Sequence, residues 1–183
     1  MNPNIARRIA FHKAFDDVEI HSFLYDEGEI WRLGTVDEND YNPTIRSVYA
    51  KPVALEGLFY EKLKSYVWSA NKALWNFDLT GLSPHDPPQL LRYERGDHYE
   101  WHLDHDSQSS TRKLTCIVQL SDADSYKGGD VCVFPPLSGF SPSDWRACGT
   151  LIIFPVYVPH CIAKIEAGTR HALVFWVHGP AFR

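Results

Sequence analysis

The chain has no C-x-x-C pair, no run of lysine and arginine, no long apolar stretch, no internal repeat and no low-complexity tract. Each absence excludes something. The four cysteines, Cys116, Cys132, Cys148 and Cys161, stand apart in or beside apolar, strand-like stretches. There a free thiol behaves as a small buried hydrophobe, which implies a reducing compartment. The formal charge is -5 and no basic patch is concentrated anywhere, so phosphate neutralisation has no footprint and a nucleic-acid partner is not expected. No segment approaches the ~18–20 apolar residues of a membrane span. The opening MNPNIARRIAFHK is basic but carries no apolar core, so it does not read as a secretory signal. These exclusions together point to a cytoplasmic protein.

What is present suits one globular domain over residues 1–183, with 44% hydrophobic and 14% aromatic residues to fill a core. Ile5 to Phe15 reads as a strand and Val18 to Leu33 as a helix. The best helical pattern spans residues 53–76, where Leu55, Phe59, Leu63, Tyr66, Val67, Ala70 and Leu74 recur at three- and four-residue steps behind Pro52. From Gln89 onward the period changes. Strand-like runs at Gln89–Tyr93, Tyr99–Asp104, Leu114–Leu120, Val131–Phe134, Thr150–Phe154, Cys161–Glu166 and Ala172–Val177 are broken by RGD, SDADSYKGGD, PPLSGFSPSD, PVYVP and EAGT. The expected fold is mainly β with flanking helices. A jelly-roll core over residues 89–178 packs against a helical support over residues 1–88.

His102 and Asp104 form an H-x-D step in a strand-like segment, so both side chains project from one face. An imidazole nitrogen beside a carboxylate oxygen suits a divalent first-row metal, and a third ligand must come from elsewhere. His160, after the proline-rich bend, is the best candidate. Two histidines and one carboxylate on one side of a metal leave its other positions open, the facial arrangement of non-haem Fe(II) oxygenases. Arg170 begins the last strand on the face of Ala172, Val174 and Trp176. A permanently charged fork among apolar neighbours calls for an anion. A dicarboxylate that chelates iron at one end and pairs with Arg170 at the other answers both needs.

The ordered set Tyr93-x-x-Gly96-x-x-Tyr99-x-x-His102-x-Asp104, Arg112-x-Leu-Thr115, Gly128-Gly129-Asp130, Gly149 through Pro155, His160 and Arg170 resembles the prolyl 4-hydroxylase-like 2-oxoglutarate/Fe(II) oxygenases. A weaker similarity extends to Ile45-Arg46-Ser47, ahead of the long helix. The resemblance implies a double-stranded β-helix of the cupin-like kind. It implies Fe(II) held by His102, Asp104 and His160, and 2-oxoglutarate held by Arg170 and Tyr93. Gln119 stands where some relatives carry a second tyrosine, and an amide can still donate to a carboxylate. The implied chemistry uses O2, with ascorbate as reductant, to hydroxylate an unactivated C–H bond with release of succinate and CO2. The carboxylate position that halogenating relatives leave empty is filled here by Asp104, which favours hydroxylation.

A peptidyl proline is the first substrate expected. A free amino acid or other small metabolite is the second, and a cupin-like metal-binding module without redox chemistry is the third. Nucleic-acid demethylation is disfavoured, because the second arginine of such enzymes is replaced by Trp176. Trp176, Asp106 and Arg92 are the candidates for substrate contact. His105, His171 and His178 read as lying off the ligand face.

Overall fold

The computed structural model describes residues 9–16, 19–20, 31–35, 41–107, 109–136 and 145–182. In chain order the elements are β1 (Ala10–Lys13), β2 (Arg32–Leu33), β3 (Arg46–Ser47), β4 (Tyr49–Pro52), α1 (Gly57–Leu74), β5 (Gln89–Tyr93) and β6 (His98–His102). They continue with β7 (Arg112–Gln119), β8 (Tyr126–Gly128), β9 (Val131–Val133), β10 (Thr150–Pro155), β11 (His160–Ile162), β12 (Ile165–Gly168) and β13 (Arg170–His178). A seven-stranded sheet has the order β1-β10-β7-β13-β5-β4-β2, and a four-stranded sheet has the order β3-β6-β11-β9. The hairpin-like pair β12-β8 completes the β-structure. Every pairing is antiparallel.

The large sheet is covered on both faces, and strand alternation sorts its side chains between two cores. Leu114, Cys116 and Val118 of β7, Leu151 and Ile153 of β10, and Leu173, Phe175 and Val177 of β13 pack with Leu63, Val67 and Ala70 of α1. The intervening residues Ile117, Ile152, Phe154 and Ala172 join Leu91, Tyr93, Val131, Val133 and Ile162 in the inner core between the sheets. Helix α1 buries the stripe spaced at four and three residues and leaves Leu58 90% exposed on its other side.

The expected double-stranded β-helix is therefore present, with its boundaries moved. The helix begins at Gly57 because Pro52 closes β4 and Glu56 is still extended. Arg32–Leu33 pairs with β4 as a strand, which contradicts the end of the helix expected over 18–33; residues 18 and 21–30 of that segment lie outside the described residues. Besides α1, the segment expected as helical support supplies β1, β2 and β4 to the large sheet and β3 to the small one. The SDADSYKGGD and EAGT breaks each contain part of a strand, since Tyr126–Gly128 and Ile165–Gly168 pair with one another. Cys116 and Cys148 are buried as expected, whereas Cys132 and Cys161 are half-buried and directly opposite on β9 and β11.

Because Leu63 is fully buried between α1 and the sheet, Leu63→Ala should cost about 2–5 kcal/mol of unfolding free energy. Leu58→Ala, on the exposed face, should change it by no more than about 0.5 kcal/mol. Denaturant titration of the two variants checks the packing side of the helix.

Candidate metal centre and cavity

A cavity of about 970 Å³ opens between the two sheets, and His102, Asp104 and His160 lie in its wall. Strand pairing sets two of them, since His102 at the end of β6 is the register partner of His160 at the start of β11. The third is set by a bend. The strand ends at His102, and Asp104 is held just beyond it by donating its backbone N–H to the Val156 carbonyl at 3.1 Å. Val156 in turn donates to the Lys113 carbonyl at 3.2 Å, so the segment after β10 is tied down on both sides before it delivers His160.

Each imidazole uses Nδ1 against a carbonyl two residues back, His102 with Glu100 at 2.7 Å and His160 with Val158 at 3.1 Å. With Nδ1–H donating, Nε2 is left as the lone-pair nitrogen, and both Nε2 atoms converge on Asp104. His102 Nε2 lies 3.6 Å from Asp104 Oδ1, and His160 Nε2 lies 3.5 Å from Oδ2. Thr115 on the inner face of β7 donates its hydroxyl to Asp104 Oδ2 at 2.6 Å. All three ligand atoms lie within 4.8 Å of one another, a spacing that one cation can bridge.

The charge states suit that role. Burial, followed by the neighbouring His160, pushes the His102 imidazole down to about 4, so it is neutral at physiological pH. Burial alone would raise Asp104, but His160, His102, the Thr115 hydroxyl and the Trp176 indole outweigh it and hold the carboxyl below its ordinary value. A neutral imidazole and an ionised carboxylate are the forms that ligate a metal.

Arg170 is 1% exposed, the largest of the fully buried side chains. Its Nη2 donates to Gln119 Oε1 at 2.9 Å, while Nε and Nη1 are buried without a hydrogen-bond partner. Tyr93 is its register partner on β5, with the ring centroid 5.4 Å from the guanidinium carbon. Burial raises the Tyr93 phenol above its ordinary value despite the pull of Arg46 and Arg170, so its hydroxyl remains a donor. A buried guanidinium with two idle nitrogens is costly unless an anion completes it. The donor set and this orphaned cation therefore fit a metal and a carboxylate-bearing co-substrate. Tyr93 and Ile117 line the cavity itself, and Arg170 and Gln119 lie beyond them on the same inner strand faces.

The candidate substrate residues separate. Trp176 and Asp106 line the cavity, and Asp106 also accepts from the Ser109 backbone at 2.7 Å. Arg92 does not reach it. With Tyr93 facing inward, alternation turns Arg92 to the opposite face, where its guanidinium sits over the rings of Trp31 and Tyr49. His105 packs against Phe182 away from the cavity. His178, expected off the ligand face, lines the cavity because it shares alternation with Arg170 and Trp176 on the continuous strand β13. Sequence reasoning also gave no site role to three charged residues, naming Arg112 and Arg46 only within the family resemblance. Arg112 lies 3.6 Å over the Trp176 ring and grips Asp86 through Nε at 2.6 Å and Nη2 at 2.7 Å. Arg46 enters the cavity from β3. No motif spacing marks Asp86, whose partners are 26 and 92 residues away in the sequence (112 − 86 and 178 − 86).

Residues 88–178 match the family described as the 2OG-Fe(II) oxygenase superfamily. A PKHD-type hydroxylase of Acinetobacter baumannii is 31% identical over 117 residues, 58% of this chain and 51% of the relative. A PKHD-type hydroxylase of a Synechococcus species is 36% identical over 89 residues, 48% of this chain and 39% of the relative. The chain thus spans about half the length, or less, of these curated relatives. Among solved structures, a Pseudomonas putida prolyl-4-hydroxylase superposes with a TM-score of 0.71 at 17% identity, covering 96% of both chains. A Trichoplax adhaerens prolyl hydroxylase in complex with a hypoxia-inducible-factor peptide gives 0.67 at 18% identity, covering 94% of this chain and 84% of that one. At such identities the likeness concerns the fold.

The Asp86 cluster at the rim generates a pH test. Burial would raise Asp86, but hydrogen bonds and charge from His178 and Arg112 more than offset this and lower it. A carboxyl lowered on folding contributes stability that is present above its unfolded value of about 3.9 and lost as pH falls through the folded value. Asp86→Asn should therefore lower stability by about 1–3 kcal/mol near neutrality. Melting temperatures of the two proteins should differ near neutrality and converge as pH falls below about 4.

Proposed function

This chain belongs to the 2-oxoglutarate/Fe(II) oxygenase superfamily, and from that membership we propose that it hydroxylates an unactivated C–H bond, with a peptidyl proline as the first substrate class. His102, Asp104 and His160 are assigned as the Fe(II) ligands. Arg170 takes the distal carboxylate of 2-oxoglutarate, with Tyr93 and Gln119 beside it. Fe(II) and 2-oxoglutarate together supply the activation of O2, with succinate and CO2 as by-products and ascorbate as the reductant that maintains Fe(II).

The chain's own groups do the rest. The carbonyls of Glu100 and Val158 fix the imidazole tautomers, and Thr115 fixes the carboxylate. Tyr93, Ile117 and Val174 line the inner wall and limit water there. The Arg112–Trp176 stack presents a flat wall against which a substrate ring can lie. Leu103, which lines the cavity, and Trp101 on β6 are 49% and 52% exposed and offer apolar surface of the kind a polypeptide covers. The observation that carries the reading is Arg170, whose buried, half-satisfied guanidinium has no use in a metal-binding module without an anionic co-substrate.

The same iron chemistry on a free amino acid or small metabolite is the second reading, supported by the polar lining of the cavity, which includes Arg46, Ser83, His85, Ser109 and Thr111. The assignment takes residues 1–183 as one oxygenase domain in the cytoplasm, with no nucleic-acid partner. No helix among the described residues is long and apolar enough to cross a membrane.

Anaerobic Fe(II)-loaded protein should develop a visible charge-transfer band when 2-oxoglutarate is added. His160→Ala should abolish the band, and Arg170→Ala should weaken 2-oxoglutarate affinity by about tenfold to a hundredfold, the worth of a charge-assisted pair. Succinate release should then be stimulated by a peptide panel rather than by free amino acids and metabolites. Stimulation by the second panel alone replaces the peptidyl substrate. A folded, iron-loaded wild type without a band leaves the metal-binding module as the better account.

A further inference from the structure

Arg46 is a cation that the proposed chemistry does not use. It projects from β3 into the same cavity as the candidate metal ligands. Its register partner on β6 is Tyr99, and its guanidinium carbon lies 4.9 Å from the Tyr99 ring centroid. Tyr99 in turn stacks on His102, with ring centroids 3.5 Å apart. One aromatic ring therefore separates the guanidinium from a proposed iron ligand, and its charge is felt at His102, Tyr93 and Tyr99.

The partners of Arg46 leave its charge unanswered. Nη1 donates to the Thr35 carbonyl at 2.6 Å, Nη2 reaches Gln89 Oε1 only at 3.5 Å, and Nε is buried without a hydrogen bond. Both acceptors are neutral. Among the described residues no carboxylate is paired with Arg46, whereas the neighbouring cavity cation Arg112 is neutralised by two short bonds to Asp86. Of the cavity's carboxylates, Asp86 is committed to Arg112, Asp104 to the metal ligands, and Asp106 to Ser109. A guanidinium half-buried beside a cavity, with an idle nitrogen and no counter-charge, is built to receive an oxyanion from outside.

We propose that Arg46 binds a carboxylate carried by the substrate close to the carbon that is hydroxylated, so that the enzyme selects acidic substrates. The inference rests on the oxygenase reading above and narrows it. Depth assigns the two arginines. Arg170 is 1% exposed and suits the elongated co-substrate, whereas Arg46 is only half-buried and can exchange substrate at each turnover. The carboxylate is either the free terminus of a proline or an acidic side chain next to it. In both cases an anion seated at Arg46 places its neighbouring carbons on the His102 side of the cavity.

Two probe pairs that differ only in that charge test this. N-acetyl-L-proline is compared with N-acetyl-L-prolinamide, and Ac-Gly-Pro-Asp-Gly-NH2 with Ac-Gly-Pro-Asn-Gly-NH2. Binding is measured by calorimetry on anaerobic Fe(II)-loaded protein already saturated with 2-oxoglutarate. In at least one pair the acid should bind about tenfold or more tightly than the amide. Arg46→Met should erase that preference, and Arg46→Lys should retain part of it. Equal binding within both pairs, or no binding by any of the four, overturns the proposal, and neither outcome requires a variant to fold. If Arg46→Met abolishes the 2-oxoglutarate band, Arg46 serves the co-substrate and the proposal is likewise overturned. The prior 2-oxoglutarate titration separates the two levels. A wild type that takes up 2-oxoglutarate but shows no acid preference refutes only the role of Arg46, and a wild type that fails to take it up refutes the oxygenase reading itself.

Discussion

The open end of this sandwich depends on one pairing, His102 of β6 directly opposite His160 of β11. Cross-strand partners stand only about 4.5–5.5 Å apart, so the register brings two imidazoles together without any long-range fitting. Their orientation is also local, because each ring is turned by a carbonyl of its own strand two residues back. A one-residue slip of β11 would send His160 to the outer face and Cys161 inward. The same strand pairs with β9 on its other side, Cys161 with Cys132 and Ile162 with Val131, and this second ladder makes the register hard to shift.

Asp104 depends on a different device. It lies past the end of β6, where alternation no longer dictates direction, and the backbone bond to Val156 takes over that task. The bend that holds Asp104 also launches His160, so two of the three donors share one support. Thr115 completes the arrangement from the large sheet, its hydroxyl donating to Asp104 across the cavity. Small adjustments in either sheet are thereby felt at the carboxylate.

This division explains what could be read without coordinates. Strands β5, β7, β10 and β13 were legible because both of their faces are covered and their apolar runs are nearly unbroken, as in Thr150–Pro155. The His-x-Asp step, His160 and Arg170 were legible as residue types whose burial demands chemistry. The short strands β2 and β8 were not, since two or three residues carry no period and tertiary pairing alone makes them strands, while β3 was suggested only by the resemblance at Ile45-Arg46-Ser47 and β12 was caught only at its first two residues. Arg46 and Arg112 were named only within the family resemblance and Asp86 not at all, and none was given a role in the site, for a related reason. A charge near the mouth of a cavity looks like any solvated charge until the element beside it is known. Arg92 shows the converse, where nearness to the motif in sequence suggested a role and strand alternation placed the side chain on the wrong face.

The inner faces of the sheets carry three arginines, and their surroundings set what each can do. Arg112 is neutralised by Asp86 and stacked on Trp176, so it acts as a rigid part of the wall. Arg170 lies deepest, where a cation without a partner is costliest and an incoming carboxylate relieves that cost. Arg46 stands between these cases, partly desolvated and without a counter-charge. Desolvation raises the attraction of such a group for an anion, while its residual exposure keeps the exchange fast. Carboxylates at Arg170 and at Arg46 would thus occupy two separate stations, the first fully enclosed and the second beside the metal ligands.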